Sequence, residues 1–402
     1  MSTLRETWSA LTERWDNSPK RFKQLVALGA LIFVIALPFF SSAAGSFTDN
    51  ATKALAYAVM ALGLNIVVGF AGLLDLGYVA FYAFGAYTMG WFASGFYAYI
   101  NHQKGIHIGV TGVVTKLPGI HVSFLFVLVL AAVISALFGV LIGLPTLRLR
   151  GDYIAIVTLA FGEIIGRVAV NGDQLKIGKY ALTAGRQGIT PVDAPHLPGL
   201  TVFGPLNLRP WYWTALGLFL LVLLVNFRLR DSRLGRAWIA VREDEVAASS
   251  MGVPLVRTKL MAYATGAAFG GMAGAFLAAY LNTVNADQFE FSFSIFILAM
   301  VILGGMGSIW GVTVGAIVLS YINTYFIPGP FRSLPSKVGL NFDLTELSFG
   351  IFGFLLVIMM VLRPQGLLPE RRRRLELTTG LGEVEMAEPG TLTEVAVTPE
   401  GR

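Results

Sequence analysis

The sequence predicts an all-α fold: a polytopic membrane helix bundle of about ten transmembrane helices, with at least one short or broken segment. Three observations carry this expectation. Of the 402 residues, 55% are hydrophobic and 13% charged, against about 25% charged in an ordinary soluble chain. Apolar runs close to the roughly 20 residues that a spanning helix needs recur along the whole chain. Lysine and arginine collect in alternate connecting segments, as they do when loops sort to the two faces of a bilayer. The 45 glycines suit helices that approach closely in lipid.

In chain order, residues 1–23 mix Arg5, Arg14, Lys20, Arg21 and Lys23 with Glu6, Glu13 and Asp16. They form a cytoplasmic N-terminal segment. The apolar run that follows is too long for a signal core, so a retained first helix is expected. The candidate spans are 24–40, 53–71, 76–98, 122–144, 153–171, 211–227, 259–281, 291–304, 308–327 and 344–362. Run 291–304 is too short to span alone and leads into Gly304-Gly305-Met306-Gly307-Ser308. A re-entrant or broken segment there needs its backbone buried by protein. The transmembrane unit thus covers 24–370. Arg371, Arg372, Arg373 and Arg374 read as a basic anchor at the lipid surface. The rest of 371–402 lacks the large apolar residues to build a core and is expected to be disordered.

With the N-terminus inside and ten helices alternating, cytoplasmic segments hold 20 of the 30 lysines and arginines. Outer segments and helix ends hold nine, and Arg167 sits within a helix. Both termini are therefore expected in the cytoplasm.

Enzymatic chemistry finds little support. The absence of cysteine excludes disulfides, thiolate metal sites and cysteine nucleophiles. His102, His107, His121 and His196 fall outside the apolar runs and read as ordinary loop histidines rather than metal ligands. No G-x-x-x-x-G-K-[ST], G-x-S-x-G or H-E-x-x-H motif occurs. No catalytic residue, metal or cofactor is expected, and no nucleic-acid partner. Membrane lipid is the expected surrounding.

Three groups of residues stand out. Glu163 and Arg167 lie at i, i+4 within an apolar run and share a face. They read either as the lining of a hydrated pathway or as a self-neutralised pair, since a lone charge at mid-membrane costs at least about 2.5–3.5 kcal/mol. Asn65 and Asp75 flank or lie within a glycine-rich stretch, Gly69-Phe70-Ala71-Gly72-Leu73-Leu74-Asp75-Leu76-Gly77. This is either a hinge near the pathway or a capped turn, with Asp75 as N-cap of the next helix. The cytoplasmic stretch 228–259 holds Asp244 as an N-cap, Glu245 in the first turn, and Gly252 with Pro254 as a stop. A short exposed helix follows, with a small-residue face of Ala247, Ala248 and Ser249. It is either a docking knob or a solvated connection.

This stretch, from Gly235-Arg236-Ala237-Trp238 through Arg242-Glu243-Asp244-Glu245 to Gly252, resembles the permease subunits of branched-chain amino acid ABC importers, of the LivM type. Gly63-Leu64-Asn65-Ile66-Val67-Val68-Gly69 agrees, as do Gly151-Asp152-Tyr153, Phe161-Gly162-Glu163-Ile164 and Arg363-Pro364-Gln365-Gly366-Leu367-Leu368-Pro369. The likeness covers roughly 53–370. It implies a bacterial inner-membrane subunit that forms a channel with a sister permease. Separate ABC ATPase subunits would hydrolyse ATP, and an extracytoplasmic binding protein would deliver the solute to outer loops 98–121 and 172–210. It also implies that Arg242, Asp244, Glu245, Ala247, Ala248 and Gly252 form the ATPase-coupling helix. Such permeases also serve urea and short amides, so the solute stays open. An ion-coupled secondary transporter, resting on Glu163 and Arg167, is the first alternative, and a membrane enzyme the second. One departure is Leu182-Thr183-Ala184-Gly185-Arg186-Gln187-Gly188, where the family commonly has Gly-Gly. Ala184 is expected to lose the freedom of glycine at positive φ.

Overall fold

In the computed structural model, the apolar runs fold as helices. The structure describes residues 28–29, 31–40, 42–110, 112–146, 153–195, 203–204, 206–332, 347–363 and 366–368. The proposed end segments 1–23 and 371–402 lie outside them. Eleven helices are labelled here: α1 Ser46–Leu64, α2 Val79–Phe92, α3 Phe124–Thr146, α4 Tyr153–Asn171, α5 Arg209–Asp231, α6 Arg233–Glu243, α7 Glu245–Ser250, α8 Leu255–Tyr280, α9 Phe291–Gly304, α10 Ile309–Tyr321 and α11 Ser348–Leu362. α1 and α10 continue as π-turns, Asn65–Phe70 and Ile322–Phe326. Among the described residues six helices are long and apolar enough to cross a membrane. They are α1, α3, α4, α5, α8 and α10.

α4 and α9 occupy the predicted runs, but α1 begins at Ser46, upstream of the predicted 53. Its polar first turn is held by internal partners. Asp49 accepts from Lys53 at 2.9 Å and from the Tyr280 hydroxyl at 2.5 Å. Residues 31–36 are helical and dock on α5, where Tyr212 donates to the Val34 carbonyl at 2.8 Å.

α1 and α8 form the centre. Glycines and alanines let them meet closely, and Tyr78 donates its hydroxyl to the Gly266 carbonyl at 2.9 Å between them. α3 covers α8 and leaves Leu125, Val129, Val133, Leu137, Leu141 and Leu144 exposed along one stripe. A continuous apolar stripe on a helix that packs on its other side is a lipid-facing surface. α9 has 14 residues, about 21 Å of helix, short of a hydrocarbon core of about 30 Å. The chain turns at Gly305 (φ +115) and Gly307 (φ +87), and Ser308 caps α10 by accepting the Gly311 N–H at 3.1 Å. α9 and α10 thus pack antiparallel as a hairpin in which α9 is largely buried and α10 exposes Trp310, Val314 and Val318.

The two ends of the bundle differ. One carries α6, α7 and the turns at 69–78 and 305–308. The other is capped by a small sheet of β1 Ala93–Ser94, β2 Ile106–Ile108 and β3 Ile120–Val122, in the order β1-β3-β2. A hairpin of β4 Lys176–Ile177 and β5 Tyr180–Ala181 lies beyond it. Ala184 has φ −90, so it carries no left-handed strain, contrary to expectation. Gly185 (φ +57) and Gly188 (φ +72) supply the positive angles in that loop, and both are retained. His121 is more than a loop histidine. It is the buried central residue of β3 and meets Asp193 at 2.6 Å, pinning the sheet to the segment after α4.

Candidate functional site

The site grows from the α5–α8 connection. α5 runs on to Asp231, and Ser232 then caps α6 by accepting the Gly235 N–H at 3.2 Å. α6 exists because Leu234, Trp238 and Val241 recur at helical spacing and turn one face inward. Trp238 is fully buried and donates its indole N–H to the Thr258 carbonyl at 2.8 Å. This fixes α6 to the first turn of α8.

α7 follows after one residue. Asp244 Oδ1 accepts the Val246 and Ala247 N–H groups at 2.7 and 2.9 Å, the N-cap the sequence predicts. At the other end the Val253 N–H bonds the Ala248 carbonyl at 3.0 Å, and the Gly252 N–H bonds Ser249 at 2.9 Å. With Gly252 at φ +84, this is a Schellman stop, which a residue with a Cβ fits poorly. Glu245 accepts from Lys259 at 2.5 Å, and the Lys259 side chain is 6% exposed. A buried ammonium needs that partner.

The exposed face of α7 differs from the predicted one. Ala248 is buried at 5% exposure, while Val246 and Met251 stand out at 71% and 85%. Ala247 and Ser249 are exposed as well. The small residue at 248 lets α7 sit against its own subunit, and the outward surface is Val246, Ala247 and Met251.

Arg242, the last basic residue of α6, reaches away from α7 into the bundle. Its Nη1 donates to the Gly69 carbonyl at 2.7 Å, and its Nη2 meets Glu243 at 2.9 Å. Its methylenes lie over Gly72, at φ +70, where an added Cβ would collide with Arg242 Cγ. The carbonyl it holds belongs to the π-turn Asn65–Phe70. Asn65 in that turn is fully buried and accepts the Gly307 N–H at 2.8 Å. The structure therefore brings together Arg242 and Asn65, which the sequence assigned to separate groups, on one π-turn: Arg242 bonds its Gly69 carbonyl and Asn65 lies within it. The sequence carried no signal for the Arg242–Gly69 contact, since 173 positions separate the two.

Asp75 is nearby and buried at 2% exposure. Its Oδ1 accepts the Gly77 N–H at 2.9 Å. It thus closes the turn before α2 and is not the N-cap of that helix. Ser294 of α9 satisfies the first N–H of α2, at Val79, at 3.0 Å. Asp75 Oδ2 has no hydrogen-bond partner among the described residues.

Glu163 and Arg167 stay apart from this cluster. Both are exposed and line an open groove on α4 with Ile164, Val168 and Asn171. No ion pair forms between them, contrary to the self-neutralised reading. Among the described residues no group of three or more metal-ligating side chains converges.

A sequence profile for the permease component of branched-chain amino acid transport systems matches residues 46–360. The chain belongs to this family. The permease is similar to the high-affinity branched-chain amino acid transport system permease protein LivM of Salmonella typhimurium, at 38% identity over 91% of this chain and 79% of that protein. A probable branched-chain amino acid transport permease protein LivM of Methanocaldococcus jannaschii is 25% identical over 78% of this chain and 91% of its own length. The LivH permease protein of Salmonella typhimurium is 28% identical over 34% of this chain and 44% of its own. No solved structure matches. The permease is accordingly a multi-pass membrane protein, and its helices and turns are those of a transport subunit.

Proposed function

We propose that this permease forms, with a sister permease, the translocation pathway of an ABC importer for branched-chain amino acids. Two ABC ATPase subunits drive it, and an extracytoplasmic binding protein delivers the solute to the sheet end. The subunit itself hydrolyses nothing. The α6–α7 end faces the cytoplasm of a bacterial inner membrane, with both termini on that side, as the distribution of basic residues favours.

The observation that carries this reading is the seating of α7. A helix capped at both ends, with Val246, Ala247 and Met251 exposed on it, is a rigid knob for a partner's groove. Its root, Arg242, holds the π-turn of the central helix. A push on the knob is thus delivered to α1 and, through Asn65, to the α9–α10 turn. Similarity to both LivM and LivH permeases supports a pathway built from two related subunits.

The test is reconstitution of the assembled complex in proteoliposomes. Labelled leucine, isoleucine and valine should accumulate only with ATP and the binding protein, and urea or acetamide should not compete. Uptake driven by an ion gradient without ATP overturns the reading in favour of a secondary transporter.

A further inference from the structure

The surface around the α5–α6 junction has no part in the coupling scheme. α5 and α10 both pack on α1. They meet each other where Phe227 lies against Trp310, with ring centroids 5.8 Å apart. Two apolar stripes run along the bundle from that meeting. Leu224 and Leu221 stand one and two turns before Arg228 on α5, and Val314 and Val318 stand one and two turns after Trp310 on α10. All four are exposed, as is Trp310 at 59%. The stripes end at a basic corner. Arg228, Arg230, Arg233 and Arg236 fall close together in the chain, with Asp231 as the one acidic residue among them. α6 turns back tightly on α5, since a Cβ at Gly235 would collide with the Leu229 and Arg230 carbonyls. Asp231 is already engaged: its side chain accepts from Arg230 at 3.3 Å, and its carbonyl accepts from Arg236 at 2.8 Å. The Arg230 guanidinium also lies over the Phe227 ring at 5.8 Å. Arg228 and Arg233 are exposed, and neither side chain has a partner among the described residues.

We propose that this corner and its two stripes bind one anionic phospholipid. The phosphate lies between Arg228 and Arg233, and the acyl chains lie along Leu224 and Leu221 on one side and Val314 and Val318 on the other. Apolar stripes that lead into unpaired guanidinium groups match an amphiphile with a negative head. A soluble anion has nothing to place on the leucines, and an apolar protein surface would strand the charges. A guanidinium holds phosphate oxygens through two N–H bonds at once. Trp310 beside Phe227 has the position of an aromatic residue at the hydrocarbon boundary, which sets the headgroup level at the arginines. The first turn of α6 adds the partial positive charge of a helix N-terminus at Arg233. The bound lipid ties the end of α5 to the start of α6, the root of the coupling hairpin. The site is independent of which solute the permease carries.

The test places the assembled complex in nanodiscs of phosphatidylcholine with phosphatidylglycerol as the minor lipid. Bromine is carried on the acyl chains of one lipid or the other. The fluorescence of Trp310 is the difference between the wild type and Trp310→Phe. Brominated phosphatidylglycerol should quench Trp310 well beyond its share of the lipid. The preference over phosphatidylcholine should be about tenfold, as two arginines at an anionic headgroup supply. Arg228→Gln with Arg233→Gln should remove the preference, and Arg228→Lys with Arg233→Lys should retain most of it. Soluble glycerol phosphate should not displace the lipid. Quenching in proportion to mole fraction in the wild type overturns the site, and so does a preference that survives both glutamine substitutions. Absence of quenching by either lipid overturns it in favour of a protein partner on this face. Displacement by glycerol phosphate overturns the lipid in favour of a free phosphate. The first comparison uses the wild type, so it decides the matter even where the glutamine substitutions prevent assembly.

Discussion

Gly72 and Arg242 should show strong energetic coupling, because the arginine occupies the space a side chain at 72 would need. Gly72→Ala puts a Cβ at φ +70, at a cost of about 1–2 kcal/mol for the left-handed backbone. It also drives that Cβ into Arg242 Cγ, an overpacking worth about 1–3 kcal/mol. Arg242→Ala removes a charge-assisted hydrogen bond of 2.7 Å to Gly69, worth about 1.5–3 kcal/mol. The Arg242 side chain is 21% exposed, so the lower half of that range applies. In the double variant the collision with Cγ is gone, and the backbone strain at position 72 remains with a tight 3.1 Å approach to the Cβ of residue 242. The double variant should therefore be more stable than the sum of the singles by about 1–3 kcal/mol. Unfolding of the assembled complex in detergent measures this, and solute moved per ATP hydrolysed measures the functional side. Arg242→Ala should lower that ratio about tenfold, the equivalent of 1.4 kcal/mol, while ATP hydrolysis continues. Additivity within about 0.5 kcal/mol would refute the contact.

Other substitutions separate the roles further. Ala247→Trp should leave the subunit's thermal stability unchanged and abolish ATPase co-purification, whereas Ala248→Phe, at a buried position, should cost about 1–3 kcal/mol in the subunit itself. Asn65→Ala strands the buried Gly307 N–H and should cost about 1–3 kcal/mol; a loss below about 0.5, read from the same melts, would mean water replaces the amide. Asp75→Asn keeps an acceptor for Gly77 and should match or exceed wild-type stability, while Asp75→Ala loses about 0.5–2 kcal/mol. Because Glu163 and Arg167 are exposed and unpaired with each other, Arg167→Ala should shift the isolated subunit by no more than about 0.5 kcal/mol; a loss above about 2 would reveal a pair formed in solution.

The fold class was legible because lipid imposes a long, simple pattern: apolar runs separated by basic loops. The caps of α7 were legible for a similar reason, since Asp244 and Gly252 act on backbone groups only a few residues away. α6 was overlooked because Arg233, Arg236 and Arg242 mask a short apolar stripe, Leu234, Trp238 and Val241. The polar first turn of α1 was missed because Thr48, Asp49 and Asn50 look like a loop until Tyr280 is brought to them. The face of α7 was misjudged at Ala248, because a small residue serves an exposed docking surface and a tight internal contact equally well. The pairing of Glu163 with Arg167 was an inference from spacing alone, and i, i+4 spacing permits a pair without enforcing one.

What remained invisible in sequence was the meeting of three chain breaks. The π-turn at Asn65–Phe70, the α9–α10 turn at 305–308 and the segment after α11 converge at one end. Arg242 holds the first, and Asn65 joins it to the second. Leu367 and Leu368 donate their N–H groups to Leu303 and Gly304 at 2.8 and 3.1 Å, tying the third to the second. Each break exposes backbone groups that a continuous helix would satisfy internally, and in a membrane protein such groups must be met by protein or water. Here the Gly69 carbonyl is met by α6, and the Gly307 N–H and the Leu303 and Gly304 carbonyls are met by a neighbouring break. The consequence is mechanical. A rigid displacement of α6 and α7 cannot leave the Gly69 carbonyl unsatisfied at low cost, so α1 either follows Arg242 or loses the bond. Where α1 follows, α9 and α10 are engaged through Gly307. α1, α9 and α10 are thus the helices whose ends are clasped together beside α6.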